Sequence, residues 1–537
     1  MASDHSNFVL SGIFSLKNDR INLILTKESI FWEVENVPKS QTIIPLSNLI
    51  TATPCDCPEA KRPKLRCYHC RTLELPNGPD IQSMLPPQSK FMRLHYAVPH
   101  RKHQWRLKSS VFRPTEGTVL KKWIDHIQDT LSELNRPKLL LVFINPYGGK
   151  KKAVKIYEKT VLPILHLAKV EAHAIVTRRA NHAKEIIEVL DIHKYDGIVC
   201  VGGDGMFSEV LNSVLLKCQK NKSIDVNDMY NPLVTPKIPL GIIPAGSTNA
   251  AVNCITGSSE ALSATLLVVL GTYTGIDVCG VYSAGRFLRY AVTFVSYGYF
   301  GDVIRDSEKL RWMGPKRYDF SGFKKIMRRK LYEGELQLQV DIPTNSSWKT
   351  GRCTVNCDTC LKATQPTSSE SLDAVKKIKW LSVRGKFMAV NSAVVSCACR
   401  MTPKGISPSQ HLGNGYCDVI VVSSCSRLDY INYLLRTSLH HKDPFDLSFV
   451  QVYRVREFRF NPYLTEDKTP AVGCAGTQEN WQELSTSIWN CDGEMINEPA
   501  IAAKVHCQLI NVFGRGYENR KTKSLWSQCF PFFKKST

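Results

Sequence analysis

The sequence predicts a mixed α/β and β protein in three folded parts. These are an N-terminal antiparallel β domain closed by a helix, an α/β domain with a parallel sheet, and a C-terminal antiparallel β-sandwich. Three observations predict it. Short strand-like segments run from Phe8 to Phe112 and end in one amphipathic helix. From Lys138, apolar strands alternate with helical stretches. From about Ala284, the pattern returns to β segments.

In the first part, strands are expected at Phe8–Leu16, Asn22–Leu25, Ile30–Val34, Thr42–Ile50, Lys90–Val98 and Gln104–Phe112, with a Cys- and Pro-rich interruption at Pro54–Pro87. The helix Thr115–Leu134 carries Val119, Leu120, Trp123, Ile127 and Leu131 at helical spacing. Strands closed by one such Trp-bearing helix resemble a pleckstrin-homology domain, placed at 1–131. Arg136-Pro137 marks a boundary. In the α/β part, 137–283, strands are expected at Lys138–Ile144, Glu171–Thr177, Gly197–Val201 and Leu240–Ile243. Helices are expected at Lys152–Ala168, His182–Asp191 and Phe207–Leu216. The third part, 284–513, shows β segments from Leu288–Ser296 to Ala502–Val512. Polar stretches at about 344–379 and 462–486 read as loops or disorder. A basic tail, 514–537, carries Trp526, Phe530, Phe532 and Phe533 beside lysines near its end.

The 537 residues suffice for three to four domains at roughly 150 residues each. Hydrophobic residues at 43% and charged residues at 22% are ordinary for a globular chain, but a net charge of +22 is not. It implies a negative partner: nucleic acid, anionic lipid or polyphosphate. Met1 to Phe8 has no cationic start and no apolar signal core. No stretch reaches the roughly 18 apolar residues of a spanning helix. The expectation is a chain neither secreted nor integral, whose 19 cysteines are buried thiols or metal ligands rather than disulfides.

Three turns carry the chemistry. Gly202-Gly203-Asp204-Gly205 joins an apolar strand directly to a helix. Glycines let backbone N–H groups approach an anion, and a helix N-terminus adds a favourable field. A carboxylate inside such a turn repels phosphate, so it needs a task such as orienting a hydroxyl or a metal. Asn145-Pro146-Tyr147-Gly148-Gly149 and Pro244-Ala245-Gly246-Ser247-Thr248-Asn249 have the same logic. Each turn follows a predicted parallel strand, so all three fall on the rim where open α/β sheets bind ligands.

No Walker sequence and no protein-kinase motif set is present. The three turns, with a late Asp492-Gly493-Glu494, resemble the diacylglycerol kinase catalytic family, which includes sphingosine and ceramide kinases. That resemblance implies ATP and Mg²⁺, with Ca²⁺ as a candidate activator. It implies that Asn145, Pro146, Tyr147, Gly148, Gly149 and Thr177 line the nucleotide, and that Glu209 faces it. Gly246, Ser247, Arg311 and Arg317 would contact phosphates, and Asp492, Gly493 and Glu494 would close the site. Asp204 would be the general base toward a lipid hydroxyl, with Gly203, Gly205 and Met206 beside it. Sphingosine kinases carry an acidic residue near position 304 that reads an amine. Here Ile304 is apolar, which suits an amide-linked lipid such as ceramide, and Asp302 could still bond its head group. Sphingosine or diacylglycerol kinases, and a catalytically silent lipid-binding relative, are the alternatives. A Gly-Gly-Asp-Gly turn also occurs in NAD kinases, whose soluble substrate gives the high charge no role.

Cys353-x-x-x-Cys357-x-x-Cys360 resembles the three-cysteine signature of ceramide kinases, and Cys397-x-Cys399 matches them too. Three thiolates and a fourth ligand would make a zinc site; without a fourth ligand they are reduced thiols. Cys55, Cys57, Cys67 and Cys70 admit the same two readings. The helix Arg427–His441 offers Leu428 and Leu435 as calmodulin-type anchors, or packs in the core. Basic stretches at Lys61–Arg66 and Arg101–Arg106 would face anionic phospholipid or phosphoinositide membranes. The resemblance implies a cytoplasmic enzyme, peripheral at Golgi and plasma membranes, with no nucleic-acid partner.

Overall fold

The computed structural model describes residues 8–35, 37, 40–56, 90–115, 119–314, 316–340, 351–364, 379–439, 442–463 and 486–516. Lys61–Arg66, Cys57, Cys67, Cys70, His441, much of the two expected loops and the tail beyond 516 lie outside the described residues, as does the Arg311 side chain.

The N-terminal part is a seven-stranded antiparallel sheet. Its order is Thr42–Pro45, Ser29–Val34, Asp19–Thr26, Phe8–Leu16, Trp105–Pro114, Phe91–Pro99 and Leu49–Cys55. The single strand expected over Thr42–Ile50 is broken by a 3-10 turn, Leu46–Asn48, directly after Pro45. The helix Val119–Ser132 buries Leu120, Trp123, Ile124 and Ile127. Trp123 meets Phe14 edge-on at 5.2 Å between centroids.

This part docks on the α/β part. The Trp105 N–H donates to Ser263 Oγ at 2.8 Å, and Arg106 pairs with Glu260 at 2.6 Å. The Arg136 guanidinium donates to the carbonyls of Leu49 and Leu46 at 2.6 and 2.7 Å. Arg106, expected among the lipid-facing charges, is therefore engaged between the two parts.

Four parallel strands form the α/β sheet in the order Glu171–Val176, Leu139–Ile144, Gly197–Gly202 and Leu240–Pro244. The last two are buried throughout, as unbroken apolar runs covered on both faces should be. The helix expected over Lys152–Ala168 forms in pieces: Ala153–Ile156, a π turn Tyr157–Val161, and Leu162–Leu167. Pro163 lacks the amide that would continue an i→i−4 ladder, and the irregularity falls just before it.

Antiparallel pairing begins at Tyr273 rather than Ala284. Ile501–Phe513 pairs with Tyr273–Ser283 and Glu457–Pro462 antiparallel, and with Leu240–Pro244 parallel. The C-terminal strands are thus hydrogen-bonded to the parallel sheet, through the pair Leu240 and Val512. Their own core gathers Tyr297, Phe387, Phe458, Phe460 and Trp489. Two helices, Tyr299–Glu308 and Lys316–Arg328, interrupt this region, where the expected helix was the one at 427–441. No single helix among the described residues is long and apolar enough to cross a membrane.

Candidate active site

The three turns meet. A Cβ added to Gly246 would lie 2.5 Å from the Gly203 Cα, and one added to Gly149 would lie 2.6 Å from the Ala245 carbonyl oxygen. Real Cβ contacts are never this short, so the glycines let three strand ends converge backbone to backbone. Gly149 also has φ +55°, a conformation costly for other residues. Two of the three turns are braced by an Asn. Asn145 Oδ1 accepts from the amides of Tyr147 and Gly148 at 2.9 and 3.2 Å. Asn249 Oδ1 accepts from the Gly246 amide at 3.0 Å, and its Nδ2 donates to the Gly246 carbonyl at 3.1 Å. Outside this contact the rim is open. Tyr147, Ser247 and Gly205 are exposed, and a Cβ on Gly205 would meet nothing within 4 Å. An open rim of turn amides and hydroxyls fits the phosphates of a nucleotide.

Asp204 opens the helix Asp204–Asn221 and reaches across to the next one. Its two oxygens accept from the amides of Ala250 and Ala251 at 3.1 and 2.9 Å. These amides begin the helix Ala250–Thr256. Burial raises the Asp204 carboxyl above the usual carboxylate range; the amide bonds oppose this, and the charge of Asp492 adds to it. Asp492 is buried, with φ +52°. It accepts from the amides of Val292, Thr293 and Phe294 at 2.7, 3.0 and 2.9 Å, and from the Thr293 hydroxyl. It knots the late Asp-Gly-Glu turn onto the sheet beside Asp204. Asp204 and Asp492, both already held by backbone amides, would be the carboxylates to approach a divalent cation travelling with the nucleotide.

Other expected residues have partners of their own. Glu209, expected to face the nucleotide, accepts from the amides of Ala183 and Lys184 at 3.0 and 3.3 Å. It caps the helix His182–Val189, which follows the Thr177 strand end. Thr177 is buried, its hydroxyl on the Ile144 carbonyl at 3.2 Å. Met206 is buried against Gly202, inside the turn rather than on the rim. Asp302 is buried and accepts from Arg305 at 2.8 Å, Ser487 at 3.0 Å and the Tyr332 hydroxyl. That network leaves it a structural task where a head-group contact was expected. Arg317 pairs with Glu308 at 3.2 Å and donates to the Tyr318 hydroxyl at 2.6 Å, and makes no bond to the turns among the described residues. Gly493 has φ +93° and donates to Asn490 Oδ1 at 2.8 Å, while Glu494 is exposed.

Sequence reading missed three contributors. Thr293 holds Asp492, Asn249 braces its own turn, and Arg289 donates to Ser208 Oγ at 3.0 Å on the Asp204 helix. Asn249 stands inside a quoted motif and could have been found. Arg289 sits in a strand and Thr293 in the bend that follows it, and neither carries a local signal.

Residues 139–281 match the diacylglycerol kinase catalytic domain, and residues 294–530 match the ceramide kinase C-terminal domain. The chain is 39% identical to human ceramide kinase over 444 residues, covering 79% of this chain and 82% of that one. It is 39% identical to mouse ceramide kinase over 437 residues, covering 78% and 82%. A crystal structure of a diacylglycerol kinase from Bacillus anthracis covers 70% of this chain and 97% of that one, at 12% identity and TM-score 0.42. The chain belongs to the ceramide kinase family.

Proposed function

We propose that this protein transfers the γ-phosphate of ATP to the primary hydroxyl of ceramide, giving ceramide 1-phosphate and ADP. The observation that carries the reading is the convergence of the three glycine turns around Asp204, in a chain of this family. In the reaction the ceramide hydroxyl oxygen attacks the γ-phosphorus, and the bond to the β,γ-bridging oxygen breaks. The hydroxyl proton passes to Asp204. Phosphoryl transfer of this kind depends mainly on positioning and on charge stabilisation. The test is purified protein with Mg²⁺-ATP and a panel of ceramide, sphingosine and diacylglycerol. Ceramide should be phosphorylated at least about tenfold faster than the others. Equal rates on sphingosine, or no turnover on any lipid, would overturn the assignment.

The same reading assigns 137–283 to the nucleotide and base, 284–513 to the lipid and the closing Asp492 turn, and 1–131 to a pleckstrin-homology-like membrane domain. The place of work is the cytoplasmic face of Golgi and plasma membranes. An exposed apolar face supports contact with a bilayer. Trp312, Phe320 and Phe323 are 81%, 51% and 63% exposed beside exposed Lys316 and Arg328. On the helix Arg427–Leu439, Leu428 and Leu435 are exposed while Tyr430 and Tyr433 are buried, so Ca²⁺-loaded calmodulin would find one face only.

Full-length protein should co-sediment with anionic vesicles at low salt and lose most of that binding near 1 M salt, where the screening length falls to about 3 Å. Phe320→Ser with Phe323→Ser should weaken it further. Salt-independent binding would remove the electrostatic part of this reading.

A further inference from the structure

We infer that Cys353, Cys357, Cys360 and His411 form a tetrahedral zinc site. Their four donor atoms lie within 4.8 Å of one another. Cys353 Sγ and Cys360 Sγ are 3.7 Å apart. Zn–S bonds of about 2.3 Å in a tetrahedron place two sulfurs about 3.8 Å apart. Cys357 Sγ and His411 Nδ1 approach to 3.1 Å. Cys353 and His411 are buried at 4% and 3% exposure, and Cys357 and Cys360 are half-buried. Three sulfurs and an imidazole in this arrangement suit zinc and fill its coordination, so the site is closed and structural.

The folding of the chain prepares the site from two sides. Asn356, at φ +52°, turns the backbone between Cys353 and Cys357, and Cys360 lies on the helix Asp358–Thr364. On the other side the backbone around His411 is fixed. Leu412 accepts from the Asp277 amide at 2.7 Å, and Gln410 donates to the Val394 carbonyl at 3.1 Å. Gln508 joins the two sides by donating to the carbonyls of Cys360 and Gly413, both at 2.8 Å.

The site is coupled to the catalytic turns through the loop that carries His411. Earlier in that loop, Cys397 Sγ donates to the Thr293 carbonyl at 3.0 Å, and Ala398 accepts from Asn253 at 3.0 Å. Thr293 holds Asp492, and Asn253 belongs to the helix whose first amides hold Asp204. Zinc would therefore fasten residues 351–364 to the loop that backs the base.

The experiment measures metal by mass spectrometry in full-length protein purified under reducing conditions without chelator. The expected result is about one zinc per chain. His411→Ala should lower zinc at least about fivefold. His411→Cys, which restores a fourth donor, should retain it. Zinc binding should also protect the three thiols from alkylation until a chelator is added. Folded, reduced wild-type protein that holds no zinc and takes up none on addition of the metal would overturn the site. Full zinc in His411→Ala would overturn the assignment of the fourth ligand.

Discussion

Asp204→Asn is expected to lower ceramide phosphorylation by ~10²–10⁴-fold, the usual cost of losing a general base. ATP binding should persist, because the turn amides and hydroxyls of the rim are untouched. The side chain accepts from Ala250 and Ala251 through separate oxygens, so Asn keeps one of those bonds and points an amide group at the other donor. A modest fall in melting temperature should therefore accompany the kinetic loss. Single-turnover rates and nucleotide affinity separate the two effects. Near-normal turnover would remove Asp204 from the base role. The wild-type pH profile supplies an independent check. The base acts in its ionised form, and burial raises its pKa. Activity should therefore fall on acidification at a pH above the ordinary carboxylate range, and the acid limb should be absent from the residual rate of the variant.

Gly246→Ala should be nearly as damaging for a different reason. The new methyl would meet the Gly203 Cα at 2.5 Å and Asn249 Oδ1 at 2.9 Å. The first neighbour is backbone and the second is a side-chain oxygen held by the Gly246 amide, so the two turns must separate. A displacement of about 1 Å at a reacting centre can cost on the order of 10²-fold in rate. Unlike the Asp204 variant, this one should weaken ATP binding as well as turnover, since both turns belong to the phosphate rim. Gly205→Ala is the control. A Cβ there meets nothing in the protein, so the fold should be unchanged, and any loss of activity would report contact with a substrate.

The sequence made some features legible because their cause is local. Buried parallel strands read as unbroken apolar runs, and Gly197–Gly202 and Leu240–Pro244 stand where those runs predicted. The glycine turns were legible as motifs, though not the distance of closest approach between them. Helices Ala250–Thr256 and Ala261–Val269 were not foreseen. They are buried on nearly every side, so neither carries an amphipathic period. Partners remote in sequence were also hidden. Nothing near Glu209 announces that it caps a helix beginning at His182, and nothing near Cys353 points to His411. Asp302 and Arg317 illustrate the converse. Their residue types suit ligand contact, yet buried or neighbouring partners satisfy both.

The pairing of Tyr273–Ser283 with Ile501–Phe513 bears on how the chain can be made in the cell. Tyr273 and Ile501 are 228 positions apart (501 − 273). At a ribosomal rate of roughly 5–20 residues per second, the earlier strand waits on the order of ten to fifty seconds for its partner. Throughout that interval Leu240–Pro244 presents an apolar, unpaired edge, the kind of surface that recruits strands from other molecules. The nascent catalytic half cannot complete its sheet by itself, so it should depend on holding chaperones until the last strand emerges.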